Sequence, residues 1–310
     1  MKNLARLFGI SALVALIGLF MAACPTDSGG GGGPTFLGNT LELSGQVYTG
    51  KDNETPTGYS LSYEKYTGSK DIPVSNGGTG AITRGVLNYS IGVPGNLSPI
   101  EDNMGMFGPW DDDEDRFVLY YDNFQIQPGN ADINCYILSI DGDYWSLSKN
   151  NSTHNYNYTP NDNSPNVYIS DDRVIYVYVD SDVTISGTGK TMSGTETWPH
   201  DEDDSTFTTL TYKTSSSTFR LELKAGWNAV RDIFTHTEKW TDNFSNATVT
   251  STMTLSMGNP DLRWVLWEDS YGDYGSGYSI VPSPQRLLPG APGAGNPALN
   301  KAFSRLRRDQ

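Results

Sequence analysis

The residues in this chain that could do chemistry are two cysteines, three histidines, several runs of carboxylates and an excess of indole rings. Cys24 closes a charge-free apolar stretch. Cys135 sits in Ile133-Asn134-Cys135-Tyr136-Ile137-Leu138, where a thiol packs in a buried strand rather than reacts. Carboxylates gather at Asp111–Asp115, Asp201–Asp204 and Asp141-Gly142-Asp143, and carboxylate oxygens are the hard ligands that Ca²⁺ takes. They follow neither the twelve-residue EF-hand spacing nor a Gly-Asp repeat, and adjacent carboxylates cannot all face one ion. They read as solvated loops, and no metal site is assigned. His154, His200 and His236 lie far apart in sequence, without an HExxH or a paired Cys/His spacing, which argues against structural zinc. No Gly-x-Ser-x-Gly elbow is present and no Gly-rich phosphate loop joins a strand to a helix, so no catalytic residue and no cofactor is assigned. Paired acids for glycoside hydrolysis need only the right separation in space, and among 36 Asp and Glu no pair stands out.

Aromatic rings supply the remaining chemistry, with seven Trp and 18 Tyr. Trp110, Trp145, Trp198 and Trp240 lie among polar residues, where a ring on an open β-face can stack on a sugar. These four are the candidate ligand contacts. Trp264 and Trp267, in Arg263-Trp264-Val265-Leu266-Trp267, read as core; three apart in a strand, they point to opposite faces.

The elements that position these groups begin with an N-terminal address. Lys2 and Arg6 precede the apolar run Leu7 to Met21, which is shorter than the roughly 20 residues of a spanning helix, and the small residues Ala22 and Ala23 precede Cys24. Phe20-Met21-Ala22-Ala23-Cys24 resembles the lipobox of bacterial lipoproteins, with Met21 where that family usually carries Leu. The resemblance implies cleavage before Cys24 and diacylglycerol on its sulfur. Residues 1–23 are then a signal peptide, Cys24 is the lipid attachment site, and the membrane is a partner. At about 0.8 kcal/mol per buried methylene, two or three acyl chains would hold the protein almost permanently. The expected location is the cell membrane or outer membrane, with the body in the periplasm or on the cell surface. Residues 24–35, with Gly29 to Gly33 unbroken, read as a flexible tether of roughly 20 Å.

Charge is distributed unevenly. Of 21 Lys and Arg, two precede Cys24 and five follow Val281, leaving 14 against 35 Asp and Glu in the body. Such a surface repels nucleic acid and anionic headgroups and favours neutral or cationic partners. With Cys24 lipidated, Cys135 has no intramolecular partner, so the body must be stable without a disulfide.

The body reads as strands. Alternating, β-branched or aromatic runs bounded by turn residues recur at Leu41–Tyr48, Gly85–Ile91, Arg116–Tyr121, Cys135–Ile140, Arg173–Val179, Thr206–Thr214, Thr218–Leu223, Thr248–Met257 and Leu262–Trp267. Val174 to Val179 is continuously apolar, as expected of a central strand buried on both faces. Phe219 to Leu223 alternates, leaving one wet face. Lys224-Ala225-Gly226 reads as a hairpin turn into a strand from Trp227 to Phe234, with a short helix over the same residues as the alternative. Ser90-Ile91-Gly92-Val93-Pro94 and Ser256-Met257-Gly258-Asn259-Pro260 echo each other and could each close a β-domain. Together these features predict an all-β chain, an antiparallel β-sandwich in two tandem domains. The acidic run 111–115 separates a small β-sandwich over 36–108 from a larger one over 116–281. Residues 282–310 are Pro/Gly-rich and then basic, which reads as a disordered tail or as the product of a shifted reading frame.

Leu43-Ser44-Gly45-Gln46-Val47 and Gly85-Val86-Leu87-Asn88-Tyr89-Ser90-Ile91, within residues 41–100, resemble strands of transthyretin-like and Ig-like sandwich modules of secreted bacterial proteins. The resemblance implies a β-sandwich and no particular activity. The expected function is that of an anchored envelope protein that binds a glycan or another envelope protein. The rivals are an anchored polysaccharide hydrolase and a purely structural component.

Overall fold

The computed structural model describes residues 33–55, 58–74, 78–107, 121–129, 132–142, 145–157, 166–199, 207–240 and 246–268. The signal peptide, Cys24, Trp110, the acidic run 111–115, His200, Asp201–Asp204 and the tail 282–310 lie outside the described residues. So does all but the last residue of the strand expected over Arg116–Tyr121.

The described chain is all-β. Its first part comprises β1 (Phe36–Gly38), β2 (Leu41–Thr55), β3 (Gly58–Lys65), β4 (Lys70–Asp71), β5 (Thr79–Thr83), β6 (Val86–Ile91) and β7 (Ser98–Pro99), then a 3-10 segment, Ile100–Phe107. After it come β8 (Tyr121–Gln127), β9 (Asn134–Ile137), β10 (Ile140–Gly142), β11 (Trp145–Asn157), β12 (Val167–Val179) and β13 (Val183–Gly189). The last strands are β14 (Thr191–Pro199), β15 (Phe207–Ser216), β16 (Phe219–Leu223), β17 (Gly226–Trp240), β18 (Asn246–Met257) and β19 (Arg263–Glu268). Sixteen of them join one sheet whose main path is β14-β15-β18-β17-β12-β11-β19-β2-β6-β5-β4, and β16-β13-β8 form a second sheet. Paired neighbours are antiparallel except β15 with β18 and β19 with β2. Strands from both sides of residues 111–115 share ladders: β1 pairs with β17, β2 with β19 and β3 with β11. Hydrogen bonding thus crosses the point where the sequence suggests a domain boundary.

β12 and β17 form the spine, and alternation along β12 sorts its side chains between two cores. Val174, Tyr176 and Tyr178 face Leu41, Leu43, Leu87 and Ile91 of β2 and β6, together with Trp227 and Trp264. Ile175, Val177 and Val179 face the other way, onto Ile185, Leu221 and Leu223 of the small sheet. All six residues from Val174 to Val179 are buried, as the unbroken apolar run requires. Each such side chain contributes about 1.5–3 kcal/mol when fully buried, so this end of the spine is where the sandwich is held. Cys135 is buried in the second core, and burial pushes its thiol up to about 11. β16 alternates between buried and exposed along Phe219–Leu223, with its wet face outward.

The turn at Lys224-Ala225-Gly226 differs from the hairpin that its residues suggest. β16 pairs with β13 whereas β17 pairs with β12 and β18, so the turn carries the chain from one sheet to the other. Trp227–Phe234 is strand all the same, because β12 and β18 supply its neighbours. Gly226 has φ +119°, and a Cβ there would meet the Gly38 carbonyl oxygen at 2.7 Å. Asn228, fully buried, closes the turn: its Oδ1 accepts from Lys224 N at 2.9 Å, and its Nδ2 donates to Lys224 O at 2.8 Å and Gly226 O at 2.9 Å.

Candidate functional site

Beyond Val174, on the face that carries Ile175 and Val177, β11, β12 and β17 bring polar side chains inward beside Phe234, Met253 and Leu255 of the second core. Register sets the pattern. Asn150 of β11 lies opposite Arg173 of β12, which lies opposite Asp232 of β17. Two residues along, Ser152 lies opposite Asp171, which lies opposite Phe234; in the next row His154, Ile169, His236 and Ser251 of β18 fall in line. Alternation forces these side chains inward because it continues the parity of Ile175 and Val230. Asn150, Ser152, His154, Asp171, Asp232, His236, Glu238 and Ser251 are all buried.

Two networks run through this seam. In the first, His154 Nε2 lies 3.1 Å from Asp171 Oδ1, and Arg173 Nε donates to Asp232 Oδ2 at 2.6 Å, with Nη2 on the same oxygen. Burial would raise the Asp171 carboxyl, but the hydrogen bond and charge of His154, with Ser152 and Arg173, outweigh it and hold the group below its ordinary range. Asp232 goes the other way: its burial outweighs Arg173, and repulsion from Asp171 and Asp172 adds to the rise.

In the second network His236 stands between Ser251 and Glu238. Its Nδ1 is 2.9 Å from Ser251 Oγ and its Nε2 2.9 Å from Glu238 Oε1, while Trp240 Nε1 donates to Glu238 Oε2 at 3.0 Å. Burial opposes ionisation of Glu238, but His236 and Trp240 together hold its carboxyl below the ordinary range. The ionised Glu238 carboxylate accepts hydrogen bonds from the imidazole and the indole, and Nδ1 of the same imidazole faces the serine hydroxyl. A nucleophile, a base and an orienting acid are thus in contact, which is the order of parts that acyl transfer uses. Yet β18 is flanked by β15 and β17 through Ser251, so the neighbouring backbone amides are committed to ladders and no oxyanion hole is formed by them. This network holds the strands in register.

The first network is different, because it is not closed. Asn150 Oδ1, His154 Nδ1, Asp171 Oδ2 and Asp232 Oδ1 are buried and find no hydrogen-bond partner among the described residues. Asn150, His154 and Asp232 are only 5%, 2% and 2% exposed, so bulk water does not serve these atoms. Leaving one such atom unmet costs about 1–3 kcal/mol, and they cluster within three successive rows beginning at Arg173. The side chains of Asp171 and Arg173 keep 12% and 17% of their surface exposed, so solvent reaches the edge of the seam at these two residues. Among the described residues no group of three or more His, Cys, Asp or Glu is placed to hold a metal ion. The arrangement instead suits a ligand that brings hydrogen-bond donors to oxygen acceptors.

The four tryptophans singled out from sequence are scattered. Trp240 is buried, with its indole N–H on Glu238, so its ring belongs to the second network. Trp145 is half-buried, with Lys70 Nζ 4.9 Å from the centre of its ring. Trp198 lies on β14, with its side chain outside the described ones, and Trp110 is outside the described residues altogether. The seam was not legible in advance, since His154 and His236 are distant in sequence yet share a row. Its signal is polar residues at every second position, as in Asn150, Ser152 and His154, on a parity that nearer the core is apolar. Comparison with protein-family models, with curated proteins and with solved structures finds no match for this chain.

Proposed function

We propose that this chain is an exported, lipid-anchored protein of the bacterial cell envelope that binds a small ligand rich in hydrogen-bond donors, such as a sugar residue, in the open polar seam. The anchoring half rests on the basic start, the apolar run and Ala22-Ala23-Cys24, with the glycine run behind it. The binding half rests on one observation, the cluster of buried polar atoms left unmet around Arg173, with carboxylate and amide oxygens foremost among them. Donor groups on a ligand would satisfy them together, and the strand ladders already hold the acceptors in place.

The two halves are tested separately. Fatty-acid labelling and membrane association are lost in Cys24→Ser; labelling that persists sinks the anchor. The unlipidated Cys24→Ser chain is then screened against sugars by thermal unfolding. A ligand at a hundred times its dissociation constant stabilises a protein by about 2.7 kcal/mol, which raises Tm measurably. That rise is absent when Asn150→Leu and Asp171→Asn remove acceptors. No rise with any sugar, or a rise that survives both substitutions, removes the seam as the binding site.

A further inference from the structure

The opposite face of the same sheet carries a second feature, independent of the seam. On β14 the outward residues are Thr191, Ser193, Thr195 and Thr197, all exposed. β15 presents Thr209, Thr211, Lys213 and Ser215 beside them, and β18 presents a hydroxyl at every outward position from Thr248 to Ser256. β17 adds Thr235 and Thr237 with the exposed Lys239 next along, and across β12 the same face of β11 carries Asn151, Thr153 and Asn155. Strand geometry places these groups on a grid of about 4.8 Å across the strands and about 6.8 Å along them.

Three properties of the grid select its partner. First, the outward positions of β14, β15, β17 and β18 hold no carboxylate in a chain of net charge −15 and, among many hydroxyls, only two lysines, Lys213 and Lys239, besides Arg231, whose guanidinium is taken by the neighbouring Asp172 at 2.8 and 2.7 Å. Second, a hydroxyl both donates and accepts, so the grid fits a partner covered in the same groups. Threonine is stiff at χ1, so little side-chain entropy is lost on contact. Third, among the described side chains the large apolar ones that are exposed, Phe36, Val86 and Val93, lie on none of these strands. A protein interface needs such anchors at its centre. The grid starts near the tether, where Gly33 bridges Asn259 just past β18, and extends away from it to Thr248, nine residues before Met257 and about 30 Å along the strand.

We infer that this face is a docking surface for an extended, uncharged polysaccharide, engaged through many weak hydroxyl contacts at once. Single contacts of this kind are weak, and a grid that meets successive sugars of one chain multiplies them.

The test is affinity electrophoresis of the Cys24→Ser chain through gels holding dextran, mannan, a soluble mixed-linkage glucan or polygalacturonate. At least one neutral polymer retards the protein, and Thr195→Val, Thr211→Val, Thr248→Val and Thr250→Val combined weaken that retardation at least tenfold. Valine keeps shape and strand preference, and an unchanged Tm within a few degrees shows the fold intact; if the combination unfolds, Thr195→Val with Thr211→Val alone must show the loss. Retardation by polygalacturonate only, by no polymer, or undiminished in the valine variants overturns the inference. So does a parent that sediments as a dimer and a valine variant that does not, since the face would then meet a second copy of the chain.

Discussion

At the scale of single residues, His154 and Asp171 show how one sheet face can carry opposed electrostatics. Asp171 and Glu238 are both held below their ordinary carboxyl range, each by a histidine acting with further hydrogen-bonding or charged neighbours that together outweigh burial, whereas Asp232 is raised because Arg173 does not offset its burial. The signs follow by linkage. The contributions of Asp171 and Glu238 are fully present above the unfolded carboxylate pKa and are lost as pH falls through the lower folded values. That of Asp232 is present below the unfolded value and is lost as pH rises through the higher folded one. His154→Phe keeps the ring but removes the donor to Asp171. It should lower stability by about 1–3 kcal/mol at pH 7 in urea denaturation and move the acid limb of unfolding to higher pH. An unchanged midpoint together with an unchanged acid limb would show that His154 does not hold Asp171.

At the scale of elements, the turn between β16 and β17 links local chemistry to sheet assignment. A hairpin would have placed Trp227 beside Leu223 in one sheet. Instead Gly226 and Asn228 shape a crossing that delivers Trp227 to the first core, where its ring meets Tyr136 and Tyr178 edge-on and its N–H donates to Gly92 O at 3.0 Å. Asn228→Ala strips partners from Lys224 N and from the carbonyls of Lys224 and Gly226. The expected loss is about 1–3 kcal/mol, read as a lower denaturation midpoint with unchanged slope. A neutral result would assign the crossing to Gly226 alone. Positive φ at Gly226 was legible in the residue type, but the destination of the following strand was not. Strand pairing depends on which partners reach it, and those come from β12 and β18.

At the scale of the whole molecule, the ladders β1–β17, β2–β19 and β3–β11 join the two ends of the described chain. Leu43 belongs to the first core and Leu221 to the second, and β12 and β17 line both. Leu43→Ala and Leu221→Ala should therefore each cost about 2–5 kcal/mol and shift the same cooperative transition. Two separable transitions, each sensitive to one substitution, would instead mark two independent domains.

The sequence by itself determined the class of structure and the order of its parts. Alternation in Phe219–Leu223 and the unbroken run Val174–Val179 specify strands and the faces they bury, because side-chain direction in a strand has a period of two wherever the strand lies. It also identified Cys135 as a core thiol and carried the whole case for the anchor at Cys24, which lies outside the described residues. Only the tertiary structure decided that Asn150, His154, Asp171 and Asp232 converge, and that the hydroxyls of β14, β15, β17 and β18 form one surface. Both depend on register between strands far apart in the chain. Register is set by the packing of the two cores, and no local pattern in the sequence encodes it.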